Sequence, residues 1–455
     1  MSAGMPAEGL RVLHLVERLS LGGAGRSLIA AAQLSRASHS IYSLRPPDPA
    51  ALALAQSAGL PVTELDALAS QAGGCDILHV HFWNTPELFD ALRRPLPPVR
   101  LLLTSHVTGC SAPHILTQDV RALADRVIAT APGLAADDTI PPAADFSRIS
   151  PGAPHGGGPF AIAYVGALDF AKLHPEFVAM HQGLGGDYRV LVAGDGADAL
   201  TLRRQAEAAG AAHRFHWLGY TENISELLLA ADVFGYPLRP ETFATGELVL
   251  HEAMFAGLPC VLLAGGGAAH TLVDGETGYI VHNADEYAQR MRQLRADPAL
   301  RHVIGAAAAA YARAHLGAAN IAPRIDAVYA AMMDNEPRTR QLAQVGSGCE
   351  AFLRSLGDHG ETFYLSLASD AAADEQIFAA SPALASADTG GVLHYRRFYP
   401  DDAALRYWSG LVLLAKRRAA LAAGEFKAAR EMGFDAIRCN AWLREAIQRA
   451  RTTVH

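Results

Sequence analysis

The sequence predicts an α/β chain of two doubly wound parallel-sheet domains facing a cleft, followed by a mainly helical extension. Three observations carry this. Short apolar runs alternate with amphipathic stretches in two successive series, a Gly/Pro segment divides the series, and the text after Met333 turns Ala-rich and helical. Strand–helix–strand alternation is the pattern of a parallel sheet covered on both faces.

In the first series, "LRVLHLV" (10–16) reads as a buried strand, "GGAG" as a turn, and "RSLIAAAQLSR" as a helix with apolar residues at helical period. "HSIYSL", "DILHVHF", "RLLLTSH" and "RVIATA" are further strands. "PGAPHGGGP" (151–159) suits neither helix nor strand and is read as a linker. The second series follows as "FAIAYVGAL", "YRVLVAGDG", "HRFHWLGY", "DVFGYPL", "PCVLLAG" and "TGYIV". A polar stretch, "DNEPRTRQLAQVGSG", then leads to "ALRYWSGLVLLAKRRAALAAGEFKAAREMGF", whose Trp408, Leu411 and Phe426 lie at spacings loosely like a tetratricopeptide unit. The expected domains are 1–152 and 159–333, both Rossmann-like, and a helical module at 346–455.

Half of the 455 residues are hydrophobic, 18% are charged, and the net charge is −8. That balance disfavours a nucleic-acid partner, which needs a basic face to displace counterions. The five cysteines are scattered and none has metal-ligand spacing, which fits buried thiols in a reducing compartment. The first residues carry no basic and apolar signal pattern, and no run of about 18 apolar residues is present. A cytoplasmic chain is expected, with peripheral membrane contact left open.

In such sheets ligands bind beyond the C-terminal strand ends, so the residues there are the candidates. Gly22 and Gly23, in "LSLGGAGRS", either bring backbone amides to an anion or serve only a tight turn. His106 ends a strand at the expected cleft mouth, where it could face a sugar or simply pack. His81, Trp83 and Asn84 are placed similarly, and His79 is read as a packed histidine. Lys172, in "VGALDFAKLHP" with Gly166, is a cation near a strand end and a candidate for a diphosphate, against the common fate of a solvated lysine.

"PETFATGELVLHEAMFAGLPC" (240–260) holds three glutamates around a helix start. Glu252 falls within the apolar segment, where a carboxylate needs hydrogen-bond donors, and vicinal ribose hydroxyls would serve. The helix starts near Thr245, Gly246 and Leu248, so unpaired amides there could meet a phosphate. Glu247 in the first turn could merely favour the helix dipole.

Residues 240–281, together with "GGAGRS", "TSH", "SPGAP", "YVGALDFAK", "VAGDGAD" and "FHWLGYTENISELLLAADVFGYPL", resemble the signature of retaining family-4 glycosyltransferases of the GT-B fold, across about 10–333. The resemblance implies a nucleotide diphosphate sugar as donor, no metal or other cofactor, and a glycan, lipid-linked or protein acceptor. It implies that Glu252 holds the ribose, Lys172 the diphosphate and His106 the transferring sugar. Gly22 and Gly23 would lie near the phosphates, and Gly265, Gly266 and Gly267 would border the donor.

Two positions depart from that signature. Ala167 stands where an arginine usually precedes the lysine, and Ala244 where the first glutamate is expected, leaving Glu241 and Glu247 as alternatives. These departures motivate a rival reading, a non-catalytic nucleotide-sugar-binding or scaffold protein. For the helical module the readings are packing, homo-oligomerisation or recruitment of a protein or glycan partner.

Overall fold

A computed structural model describes residues 9–64, 68–151, 158–380 and 382–452. Most of the expected linker, residues 152–157, lies outside the described residues, as do residues 1–8 at the start.

The strands of the first series are β1 (Arg11–Arg18), β2 (Ser38–Arg45), β3 (Val62–Glu64), β4 (Ile77–Phe82) and β5 (Leu96–Ser105). A hairpin of β6 (Cys110–Ser111) and β7 (His114–Ile115) follows, then β8 (Arg126–Ala129) and β9 (Asp138–Thr139). Their sheet runs β3-β2-β1-β4-β5-β8-β9 without the hairpin. The second series gives β10 (Phe160–Val165), β11 (Tyr188–Ala193), β12 (Phe215–Gly219), β13 (Val233–Tyr236), β14 (Cys260–Leu263) and β15 (Gly278–Val281), ordered β12-β11-β10-β13-β14-β15. Every pair in this second sheet is parallel. Each strand expected from an apolar run is present. Strand order reverses between β1 and β4 in the first sheet and between β10 and β13 in the second, the places where such folds open a crevice.

The core of the second sheet is aliphatic and aromatic, with Ile162, Tyr164, Val190, Phe234, Val261 and Met254 all buried. The helix Ala318–Met332, at the end of the second series, packs Ile321, Val328, Tyr329 and Met332 with Val12, Ile77 and Leu102 of the first sheet. The last element of the predicted 159–333 domain therefore closes the core of the other one.

The chain divides into two compact units. Of the described residues, those within 1–81, 99–108 and 125–337 form one unit, which holds the second sheet and most of the first; those within 82–98, 109–124 and 338–455 form the other. The second unit is larger than the expected 346–455 module because the helix Pro86–Arg93 packs with Gly348–Leu356 and Val392–Phe398. Backbone pairing adds to this, as Leu342 N–H donates to the Leu92 carbonyl at 2.8 Å. Trp83 and Asn84, candidates for sugar recognition, are spent in this unit. Asn84 Nδ2 donates to the carbonyls of Ile115 (2.6 Å) and Ser355 (3.2 Å), and Trp83 meets His114 edge-on.

Helices Ala403–Ala415, Ala419–Glu431 and Ala436–Thr452 pack in succession around Trp408, Leu411, Phe426 and Ala429. Beside them Asp374 is 2% exposed and accepts from Tyr407 Oη (2.6 Å), Ser366 Oγ (2.7 Å) and Arg438 Nε (3.0 Å). Replacing it with alanine removes the carboxylate partner of the largely enclosed Arg438 guanidinium. We expect Asp374→Ala to destabilise this unit by about 3–5 kcal/mol in urea unfolding, whereas exposed Glu375→Ala should change little.

Candidate functional site

The loops that leave β10, β11 and β13 line a cavity of about 360 Å³ at the switch point of the second sheet, a volume within the range of small-molecule sites. Gly166 follows β10 and Gly194 follows β11. Gly194 has φ +135°, and a Cβ there would lie 1.9 Å from the Gly166 carbonyl oxygen. No side chain fits, so the two strand ends meet backbone to backbone. From the first sheet's side, Leu21, Gly22, Gly23 and Arg26 complete the lining, and a Cβ on Gly23 would sit 3.4 Å from Leu248 Cβ.

Inside the cavity three side chains converge. Glu247 Oε2 accepts from Lys172 Nζ at 2.6 Å and from Tyr236 Oη at 2.7 Å. Lys172 and Glu247 are 16% and 14% exposed, so the pair is shielded yet reachable. Burial first, then the Glu247 charge, pushes the Tyr236 phenol well above its ordinary range and keeps it a donor. Glu247 is the residue before the helix Leu248–Phe255 and makes no side-chain cap. Its carboxylate turns to Lys172 instead, so the first amides of that helix, beside Leu248 and Val249 of the lining, are not capped by it.

The structure separates the two glutamates that the sequence leaves open. Glu247 lies in the cavity, whereas the Glu241 side chain is 71% exposed, 3.7 Å from Arg239, and is not part of the lining. Glu252 is buried as expected, at 2% exposure, but its partner corrects the expectation that a ligand must supply one. Arg148 Nε is 3.1 Å from its carboxylate. Burial raises the Glu252 pKa, opposed by Arg148 and by Arg26. Glu252 lines a neighbouring cavity with Arg26, Asp145, Ser147 and Arg148.

The remaining candidates hold the loops together. Thr245 Oγ1 accepts from Thr130 Oγ1 at 2.7 Å and donates to the His106 carbonyl at 3.2 Å. Gly246 packs where a Cβ would strike Pro142, and Gly265, Gly266 and Gly267 pack against Pro240, Thr242 and Thr245 respectively. None of these five lines the cavity beside Lys172. Tyr236, Asp195, Tyr220 and Arg26 line it without having been singled out from sequence.

His106 ends a chain of imidazoles instead of lining that cavity. His106 Nε2 pairs with His81 Nδ1 (2.9 Å), His81 Nε2 with His14 Nδ1 (2.9 Å), and His14 Nε2 with His39 Nδ1 (2.8 Å). Three ligand atoms of His14, His79 and His81 lie within 4.8 Å of one another, a spacing compatible with a metal ion. The ring nitrogens already have partners, however: His79 reaches Tyr329 Oη (2.8 Å) and Thr104 Oγ1 (2.7 Å). A row of neutral imidazoles, in which His14, His79 and His81 each donate once and accept once, accounts for the distances.

Burial drives these histidines down, His39 and His106 to about 4 and His79 to about 3, with neighbouring histidines adding to the effect at His79. The unfolded chain therefore binds more protons below about pH 6.5. Their stabilisation is complete above that value and is lost as pH falls toward 4, each group adding up to about 1.4 kcal/mol per pH unit. We expect the melting temperature of the two-sheet unit to fall steeply from pH 6.5 to 4.5. His14→Asn together with His81→Asn should flatten that slope even if stability at pH 7.5 drops.

Residues 145–311 match the model of the family described as glycosyl transferases group 1. The chain is 28% identical to the D-inositol 3-phosphate glycosyltransferase of Corynebacterium diphtheriae over 341 residues, 61% of this chain and 78% of that protein. It is 31% identical to the N-acetyl-alpha-D-glucosaminyl L-malate synthase of Bacillus anthracis over 121 residues, where it spans 26% of its own length and 31% of the relative's. Among solved structures it is similar to Anabaena Alr3699/HepE in complex with UDP (TM-score 0.60, 18% identity, 71% of this chain and 100% of that one). It is also similar to sucrose-phosphate synthase from Thermosynechococcus elongatus (TM-score 0.55, 18% identity, 71% and 99%). At these identities the structural likeness concerns the fold: two parallel sheets in the arrangement of those neighbours.

Proposed function

We propose that this chain, a group 1 glycosyltransferase on the GT-B fold, moves a sugar from a nucleotide diphosphate sugar to an acceptor hydroxyl with retention at the anomeric carbon. The observation that carries the reading is the Lys172–Glu247–Tyr236 cluster at the switch point of the second sheet, beside an uncapped helix start. The bond from the anomeric carbon to the phosphate oxygen breaks, and a bond to the acceptor oxygen forms on the same face. The acceptor's proton passes to the departing phosphate. Negative charge grows on that phosphate, and a cation with backbone amides aimed at it lowers the barrier.

Lys172 is paired with Glu247. We read this as an exchange: the diphosphate takes Lys172, and Glu247, still held by Tyr236, turns to the donor sugar's hydroxyls. Glu252, paired with Arg148, has no part in this step. Acceptors of the glycan, lipid-linked and protein classes all remain in the proposal, and we place the activity in the cytoplasm. Among the described residues no helix is long and apolar enough to cross a membrane.

The step as written needs no metal, so turnover should be unchanged within about twofold after exhaustive chelation. The test of the function is release of nucleoside diphosphate from a panel of nucleotide sugars by the full chain. Release that depends on Lys172 supports transfer or donor hydrolysis. Tight binding with no release on any acceptor supports the scaffold reading instead.

A further inference from the structure

We propose that Arg26, contributed by the first sheet's side of the cavity, is the second cation that grips the donor's diphosphate; this rests on the donor reading above. Position 167, where the resemblance implies an arginine, is an alanine that lines the cavity. The charged side chains lining the cavity are Arg26 and Lys172 against Asp195 and Glu247. Lys172 is already held by Glu247 at 2.6 Å, and Asp195 accepts from the Gly196 amide at 2.8 Å. A diphosphate entering such a balanced cavity meets Arg26 as the cation not locked to a cavity carboxylate.

The position of Arg26 suits that role. It stands in the first turn of the helix Gly23–Leu34, directly after the glycine loop, and its Nε donates to the Leu21 carbonyl at 3.1 Å. That bond fixes the stem of a planar group whose remaining N–H donors match two phosphate oxygens at once. Arg26 also lines the neighbouring cavity and acts electrostatically on Glu252, but that carboxylate is paired with Arg148. A ligand held by Lys172 from the second sheet and by Arg26 from the first would be gripped from both sides of the cavity.

The test is calorimetric titration of the full chain with uridine, guanosine and adenosine diphosphates and the matching nucleosides, for wild type, Arg26→Gln and Arg26→Lys. For the base that binds wild type, Arg26→Gln should weaken the diphosphate by at least tenfold and leave the nucleoside within twofold. Arg26→Lys should recover part of the loss, and thermal melts of all three proteins should agree, which separates binding from folding. Equal diphosphate affinity in wild type and Arg26→Gln overturns the assignment while leaving the donor reading intact. Wild type that binds none of the diphosphates overturns both.

Discussion

Replacing Lys172 with alanine is expected to lower kcat for nucleotide-sugar turnover by about 10²–10³-fold, the usual cost of removing one charge-stabilising donor from a transition state. The effect arises because Lys172 is a cavity cation placed at the strand end where the leaving phosphate would sit. The variant also leaves Glu247 with Tyr236 as its remaining hydrogen-bond donor among the described side chains. Steady-state kinetics with a coupled assay for nucleoside diphosphate reads this directly. A kcat within threefold of wild type would remove Lys172 from the mechanism.

Glu247→Gln is expected to push binding and catalysis in opposite directions. Removing the carboxylate charge frees Lys172 for the phosphates, and bare nucleoside diphosphate should bind roughly tenfold tighter, a gain of about 1.4 kcal/mol. Transfer should nevertheless slow by at least about tenfold, because the amide cannot accept from sugar hydroxyls as a carboxylate does. A residue that served only to steady the fold would weaken both together. Paired titration and kinetics on the same preparation separate these outcomes.

The contrast between the two glutamates shows which parts of the site can be read from sequence. The strands were legible because each apolar run is short, β-rich and bounded by Gly or Pro, as with "DVFGYPL" around Val233–Tyr236. Lys172 and Gly166 were legible because strand ends are where such sheets bind ligands. Glu252 was legible as a buried acid but not as the partner of Arg148, since that pair joins residues far apart in the chain. Nothing in a helix pattern announces which distant guanidinium will neutralise it.

The helical unit illustrates the same boundary. Its own helices follow from composition, and Gly410 is where Phe426 approaches so closely that a Cβ would sit 2.5 Å from the ring. That "PELFDALR" packs with those helices depends on long-range contacts of Leu92 and Arg93. Trp83 and Asn84 looked like recognition residues because aromatic and amide side chains suit sugars. The same side chains suit a buried joint between segments.

The exchange of Lys172 between Glu247 and phosphate is tested most directly by a structure of the full chain with an intact nucleotide diphosphate sugar bound. The account predicts the diphosphate against the start of the helix Leu248–Phe255, Lys172 Nζ within hydrogen-bond distance of a phosphate oxygen, and Glu247 turned to the sugar. A nucleotide seated elsewhere, or one seated here with Lys172 still on Glu247, would contradict it.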